Sequence, residues 1–257
     1  MPATDPTSHR PGLLGVEDLT ALRGVMPLRG LTMLAVEDSR FAAEALRLMC
    51  RKLGIRLRRA EDLRNAQLHL RLYRPDAVLV DLGLPDGRGE PLIRDLVASP
   101  WRPRAVLATS GDPAGRAAAL AAGADGFVDK PLDSLAAFRA VLLRFLPELA
   151  DPPPLAGDLP AQPVDMPEDS IAPDPLALRD DLARAAAVLR DRDDAEGRRY
   201  LAGFLGGVAR HARDAALAEA AEAAGHAPPD QASTRLEGLL ERRLAAPDGA
   251  FQGPAGD

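Results

Sequence analysis

Ala77-Val78-Leu79-Val80-Asp81 decides the fold: four apolar residues with no polar face, then a carboxylate, then a loop carrying Gly83, Pro85, Gly87 and Gly89. A run that is apolar on both faces suits a central strand of a parallel sheet, and its sudden polar end marks a carboxyl tip. Three more runs end the same way. Met33-Leu34-Ala35-Val36 leads into Glu37-Asp38, Ala105-Val106-Leu107-Ala108 into Thr109, and Gly126-Phe127-Val128-Asp129 into Lys130. In an open parallel α/β sheet, ligands bind beyond the carboxyl ends of the strands. Three carboxylates, a hydroxyl and an ammonium are therefore expected at one rim.

Between these runs the apolar period changes from strand to helix. Phe41, Ala42, Ala45, Leu46 and Met49 recur at helical spacing before Gly54. Ile55-Arg56-Leu57-Arg58 alternates as a strand, and its charges, with Arg59, suit a sheet edge that must resist pairing with other chains. Helices are predicted from Leu63 to Tyr73, through Leu92, Ile93, Leu96 and Val97, from Ala114 to Ala122, and through Phe138, Val141, Leu142 and Phe145, the last capped by Asp133 or Ser134. Five β-α units over residues 31–149 make an α/β, doubly wound, five-stranded parallel sheet.

The residue types at the rim suggest a chemistry. A phosphoryl donor approaching a carboxylate brings two anions together, and Mg²⁺ offsets the repulsion with oxygen ligands. Glu37, Asp38 and Asp81 can supply such ligands, with a backbone carbonyl near Gly83. Lys130 and the Thr109 hydroxyl can hold phosphoryl oxygens. Transfer of this kind depends on positioning and charge neutralisation. Lys130 is one of only two lysines among 32 basic residues, the other being Lys52. A compact ammonium stands here in a chain that otherwise uses the planar guanidinium.

Taken in order, Glu37-Asp38, Val78-Leu79-Val80-Asp81 with Pro85 and Gly89, Thr109-Ser110-Gly111, Phe127 and Lys130-Pro131 resemble the receiver domain of two-component response regulators, a flavodoxin-like fold. The resemblance covers residues 31–149. It implies Asp81 as phosphoacceptor, with Thr109 and Lys130 as catalytic partners. It implies metal ligation by Glu37, Asp38, Asp81 and Gly83, and a switch formed by Thr109 and Phe127. A sharp turn at Lys130-Pro131, often cis, is also implied. The expected partner is a histidine kinase or histidine phosphotransfer protein, the cofactor Mg²⁺. The only expected catalysis is self-phosphorylation and dephosphorylation.

Outside that region the composition changes. Residues 1–30 form an extension whose Val16, Leu19, Leu22, Val25 and Met26 fit a short amphipathic helix. Residues 150–174 carry repeated prolines and read as a semi-rigid tether. Residues 175–246 read as a small all-α domain of three helices. The first has the stripe Leu178, Leu182, Ala185 and Leu189. The second runs from Ala195 to Ala224 with Gly203, Gly206 and Gly207 inside it, so that close helix contact or a break is expected. The third begins at a Thr234/Glu237 capping box. Three alanine-rich helices make a thin core, so homodimerisation through this region is expected. Residues 247–257 read as a disordered tail.

The expected output is a protein–protein interaction. The alternatives are an atypical DNA-binding helix pair using Arg198, Arg199, Arg210, Arg213, Arg242 and Arg243, or a degenerate phosphotransfer bundle around His211. His211 itself reads as a partly buried core histidine. The net charge of −6 disfavours chain-wide attraction to nucleic acid. A single cysteine, Cys50, permits no internal disulfide and suits a reducing, cytoplasmic setting. No run is long and apolar enough for a membrane helix.

Overall fold

In the computed structural model, residues 28–112, 114–132, 134–147, 174–191, 195–226 and 229–245 are described. The amphipathic segment at 16–26, the proline-rich tether and the tail fall outside them. So does Asp133, and Ser134 is the cap, its side chain accepting from the Ala137 amide.

Five strands, β1 (Thr32–Val36), β2 (Arg56–Ala60), β3 (Ala77–Asp81), β6 (Ala105–Ser110) and β7 (Gly126–Asp129), form one parallel sheet in the order β2-β1-β3-β6-β7. The doubly wound, five-stranded α/β fold expected from the pattern is the fold observed. A two-stranded antiparallel ribbon, β4 (Gly83–Leu84) and β5 (Gly87–Arg88), follows β3 where only a loop was expected. The helices of this unit are α1 (Arg40–Lys52), α2 (Leu63–Leu72), α3 (Glu90–Ala98), α4 (Gly115–Ala121) and α5 (Leu135–Phe145).

The strand alternation builds two cores. Met33, Ala35, Leu79 and Leu107 meet Leu46 and Met49 of α1 and Phe138 and Leu142 of α5. Leu34, Val36, Val78, Val80, Val106 and Ala108 point the other way and meet Ala66 of α2, Ile93 and Leu96 of α3 and Ala119 of α4. Side chains of leucine or phenylalanine size each contribute about 1.5–3 kcal/mol on full burial. Both faces of β1, β3 and β6 are thus covered, which is why their sequences show no polar alternation. Charged β2 lies at an edge. Cys50 is buried in the first core, where burial pushes its thiol up to about 12.

Residues 175–245 are helical throughout their described parts: α6 (Pro175–Asp191), α7 (Ala195–His211), α8 (Ala215–His226) and α9 (Pro229–Ala245). Four helices replace the three expected. The long second helix is broken at Ala212–Asp214, not at its glycines. Arg213 turns the chain with φ 55°, and Asp214 accepts the Leu217 amide to start α8. No glycine or proline marks this break. The capping box is also corrected: α9 begins at Pro229, a favourable first-turn residue, and Thr234 lies within the helix. Leu182, Ala185, Leu201, Leu205, Val208, Leu217, Leu236 and Leu240 pack into a third core, together with Phe41 of α1. The stripes for which a second copy was expected are thus covered within the chain.

Candidate functional site

The three acids arrive by different routes. Glu37 and Asp38 follow β1 directly, and the chain then enters α1 through Ser39, whose hydroxyl accepts the Ala42 amide as N-cap. Asp38 therefore does not cap that helix. Arg59 of β2 fixes the loop by donating to the carbonyls of Glu37 (2.9 Å) and Asp38 (2.8 Å). It has a specific role beyond edge protection, one that the sequence pattern does not show. Asp81 ends β3 and lies opposite Thr109 in the β3–β6 register. Lys130 follows β7 and precedes a cis peptide bond to Pro131.

These side chains converge. Nζ of Lys130 lies 2.5 Å from Oδ2 of Asp81 and 2.8 Å from Oε2 of Glu37. Oδ1 of Asp81 accepts the Gly83 amide at 3.0 Å, and Oε1 of Glu37 accepts the Ser39 amide at 3.2 Å. Ligand oxygens of Glu37, Asp38 and Asp81 all lie within 4.8 Å of one another. Thr109 is buried, and its hydroxyl has no hydrogen-bond partner among the described residues. Phe127 is buried in the second core, with the Arg116 guanidinium 5.0 Å from its ring centre. Glu37, Asp38, Asp81, Gly83, Thr109 and Lys130 lie at this end of the sheet, and Phe127 lies within β7, opposite Ala108.

The electrostatics are those of an anionic crater with the Lys130 ammonium at its centre and the Arg184 guanidinium at its edge, 3.8 Å from Oδ2 of Asp38. Burial, then the neighbouring Glu37 and Asp81 carboxylates, push Asp38 up to about 7 against the opposing Tyr200 hydrogen bond and Lys130 charge. Asp81 is also raised, chiefly by burial, although Lys130 and the Gly83 amide pull the other way. Burial alone would lower Lys130, but Asp81 and Glu37 outweigh it and hold the ammonium charged well above its usual range. Three carboxylates against the Lys130 ammonium and the Arg184 guanidinium still leave an excess of negative charge on hard oxygen donors. That donor set fits a divalent cation such as Mg²⁺. A bound cation would supply charge neutralisation between the acids and an incoming phosphoryl group.

The helices beyond residue 174 complete the site in a way the sequence reading missed. Tyr200 of α7 donates its hydroxyl to Oδ2 of Asp38 at 2.5 Å. Arg184 of α6 donates to the Asp38 carbonyl at 3.1 Å. Asp181 of α6 accepts the amides of Arg40 (2.9 Å) and Phe41 (3.0 Å) and the Ser39 hydroxyl (2.7 Å). It thus satisfies the free amides at the start of α1. His211 is partly buried, as expected, with its ring beside Phe41 of the helical core, and it also bonds to the receiver. Its Nε2 accepts the Leu132 amide at 2.9 Å, which leaves Nδ1 to donate to the Gly207 carbonyl at 3.2 Å. Of the interior glycines of α7, Gly207 is explained by contact: a Cβ there would touch Cδ and Nζ of Lys130 at 3.9 and 4.0 Å, whereas Gly203 faces open space. The one available signal was that glycine cluster, which indicated a close approach without saying to what.

Comparison with known proteins locates this arrangement. Residues 33–141 match the family model for the response regulator receiver domain. The chain is 34% identical over 155 residues to the KDP operon transcriptional regulatory protein KdpE of Escherichia coli K12, covering 57% of this chain and 69% of that one. It is 35% identical over 105 residues to the transcriptional regulatory protein PhoP of the same strain, covering 38% of this chain and 45% of PhoP. Among solved structures, a receiver domain of the sensor histidine kinase PA1611 from Pseudomonas aeruginosa PAO1, with magnesium in its active-site cleft, is 27% identical; the match covers 46% of this chain and 98% of that one, with a TM-score of 0.43.

Proposed function

The chain belongs to the response regulators of two-component signalling, and from that premise we propose that Asp81 accepts a phosphoryl group from a histidine kinase or a histidine phosphotransfer protein. The observation that carries this is the Lys130 ammonium held between Asp81 and Glu37 at the strand tips, beside a third carboxylate. An Asp81 carboxylate oxygen attacks phosphorus as the phosphorus–nitrogen bond of the donor phosphohistidine breaks. The departing imidazole keeps that electron pair. Lys130 stabilises the charge on the phosphoryl oxygens, and the Thr109 hydroxyl donates to one of them. Glu37, Asp38, Asp81 and the Gly83 carbonyl are the proposed Mg²⁺ ligands, and Thr109 with Phe127 the proposed switch. Incubation with acetyl phosphate and Mg²⁺ tests the assignment: the wild type takes label at Asp81, and Asp81→Asn takes none. Normal labelling of Asp81→Asn would refute it.

The output we infer is a protein contact made by the helical unit when Asp81 is phosphorylated, either with an effector protein or with a second copy. Two observations favour this over a phosphotransfer histidine or a DNA-binding helix pair. Both ring nitrogens of His211 are engaged in holding α7. Of the arginines considered for DNA, Arg243 makes a two-pronged pair with Asp214 at 2.6 and 3.0 Å, and Arg210 lies packed against Gly111. KdpE and PhoP carry transcriptional regulatory names, so transcription control is the second reading. A salt-sensitive shift of duplex DNA by the phosphorylated chain would support it.

A further inference from the structure

Helix α7 crosses the carboxyl end of the sheet over the acidic crater. Gly207 lies against Lys130, and a Cβ on Gly111 would collide with the Arg210 guanidinium. Tyr200 reaches Asp38, and His211 holds the backbone at Leu132. On the flank, Asp181 binds the first turn of α1, Arg40 pairs with Asp180 at 2.7 Å, and Phe41 inserts into the helical core. The side chain of Lys130 is 4% exposed and that of Asp81 is 9% exposed. A phosphoryl donor must approach Asp81 from beyond the strand tips, since the sheet closes every other side. That approach is where α7 lies.

We propose that the four-helix unit is a tethered occupant of the donor-binding face, so that the phosphodonor and the helical unit exclude one another. This rests on the Asp81 reading and adds its regulation. The occupant is fixed by the contacts themselves: residues 181–211 of the same chain satisfy a helix N-terminus, an acidic oxygen and a loop amide of the receiver. The Tyr200 hydroxyl donates to an Asp38 oxygen that a divalent cation would use, so the closed form also competes with the cation. Once the unit lifts, the surface bearing Asp181, Arg184, Tyr200, Gly207 and His211 is uncovered and becomes the output face. Phosphorylation and output are then coupled through one shared face.

The test uses the full chain and two latch variants of different kinds. Tyr200→Phe with Asp181→Asn removes the polar latch with little change of shape. Gly207→Leu wedges α7 away from Lys130. Two readouts are taken: the initial rate of Asp81 labelling by acetyl phosphate, and Mg²⁺ affinity by calorimetry. Each variant should gain at least about tenfold in both, the amount expected from one buried hydrogen bond to a charged group. Beryllofluoride with Mg²⁺ should enlarge the wild-type radius of gyration in X-ray scattering toward that of Gly207→Leu. Wild-type rates and affinities equal to those of both variants, with Asp81-dependent label in all three, would overturn the cover while leaving the phosphoacceptor intact. Failure of all three folded proteins to take label would overturn the phosphoacceptor assignment itself.

Discussion

Lys130 shows what one side chain does at this site. Its ammonium touches two of the three acids and puts a positive charge between them. Lys130→Ala leaves three buried carboxylates to repel one another, so acetyl-phosphate labelling of Asp81 should fall by about a hundredfold or more, as when one charged stabiliser is removed from a transition state. Mass spectrometry of the intact protein would check this, and a rate within twofold of wild type would contradict the role. Asp38 gives the pH dependence. Its folded value, about 7, lies above the ordinary value of 3.8. The folded protein therefore holds a proton that the unfolded chain has released. The stability this provides is complete below about pH 4 and is lost as pH rises toward and through 7. Mg²⁺ needs the ionised form, so its affinity should rise over the same interval and level off above it. Calorimetric titration from pH 5.5 to 8.5 would show the slope, and a flat profile would oppose the assignment. The acids and Lys130 were legible because each sits where an apolar run stops. Tyr200 was not, because nothing in a helical stripe says that one hydroxyl will reach back 162 positions.

Among the elements, the start of α3 packs closely against the backbone at the end of β3. Gly89 stands before α3 with its own amide bonded to the Leu82 carbonyl. A Cβ there would run into the Asp81 carbonyl and come within 3.1 Å of the Leu82 Cα. That backbone carries Asp81, the proposed phosphoacceptor, and cannot yield without moving it. Gly89→Ala should therefore lower stability by about 1–3 kcal/mol, the usual cost of overpacking, and slow labelling as well. Urea unfolding and the labelling rate, measured together, check both effects. The glycines of this loop were legible as a turn, but the ribbon that closes it was not. Its strands are two residues each, too short to show a period. Helix α7 gave the opposite difficulty. Its glycines look like breaks when only local propensity is weighed, yet the helix runs through them, and at Gly207 the receiver surface lies against it. The true break at Arg213 carries no such mark: its positive φ is taken by an ordinary residue with Asp214 starting the next helix.

At the scale of the molecule, the sheet and its two cores followed from sequence because their information is local: apolar runs, helical spacing, and acids at the ends. The docking of the second unit did not, because the contacts that make it join residues far apart in the chain, from Lys130 and Gly207 to Phe41 and His211. Phe41 is the apolar centre of that docking. It belongs to α1 by chain and to the helical core by packing, and it is 5% exposed. Its ring edge also faces the imidazole of His211, with centres 6.4 Å apart. Two units joined by a shared buried ring and by the Asp181 hydrogen bonds should unfold together. The wild type should therefore give one heat-absorption peak in scanning calorimetry. Phe41→Ala removes the ring from the helical core while leaving both receiver cores filled. It should cost about 3–5 kcal/mol and separate the peak into two, with the alanine-rich helices melting first. A single, uniformly lowered peak in Phe41→Ala would mean that hydrogen bonds alone couple the units. The same variant should then still protect the Arg40 and Leu132 amides from exchange, which distinguishes the apolar link from the polar one.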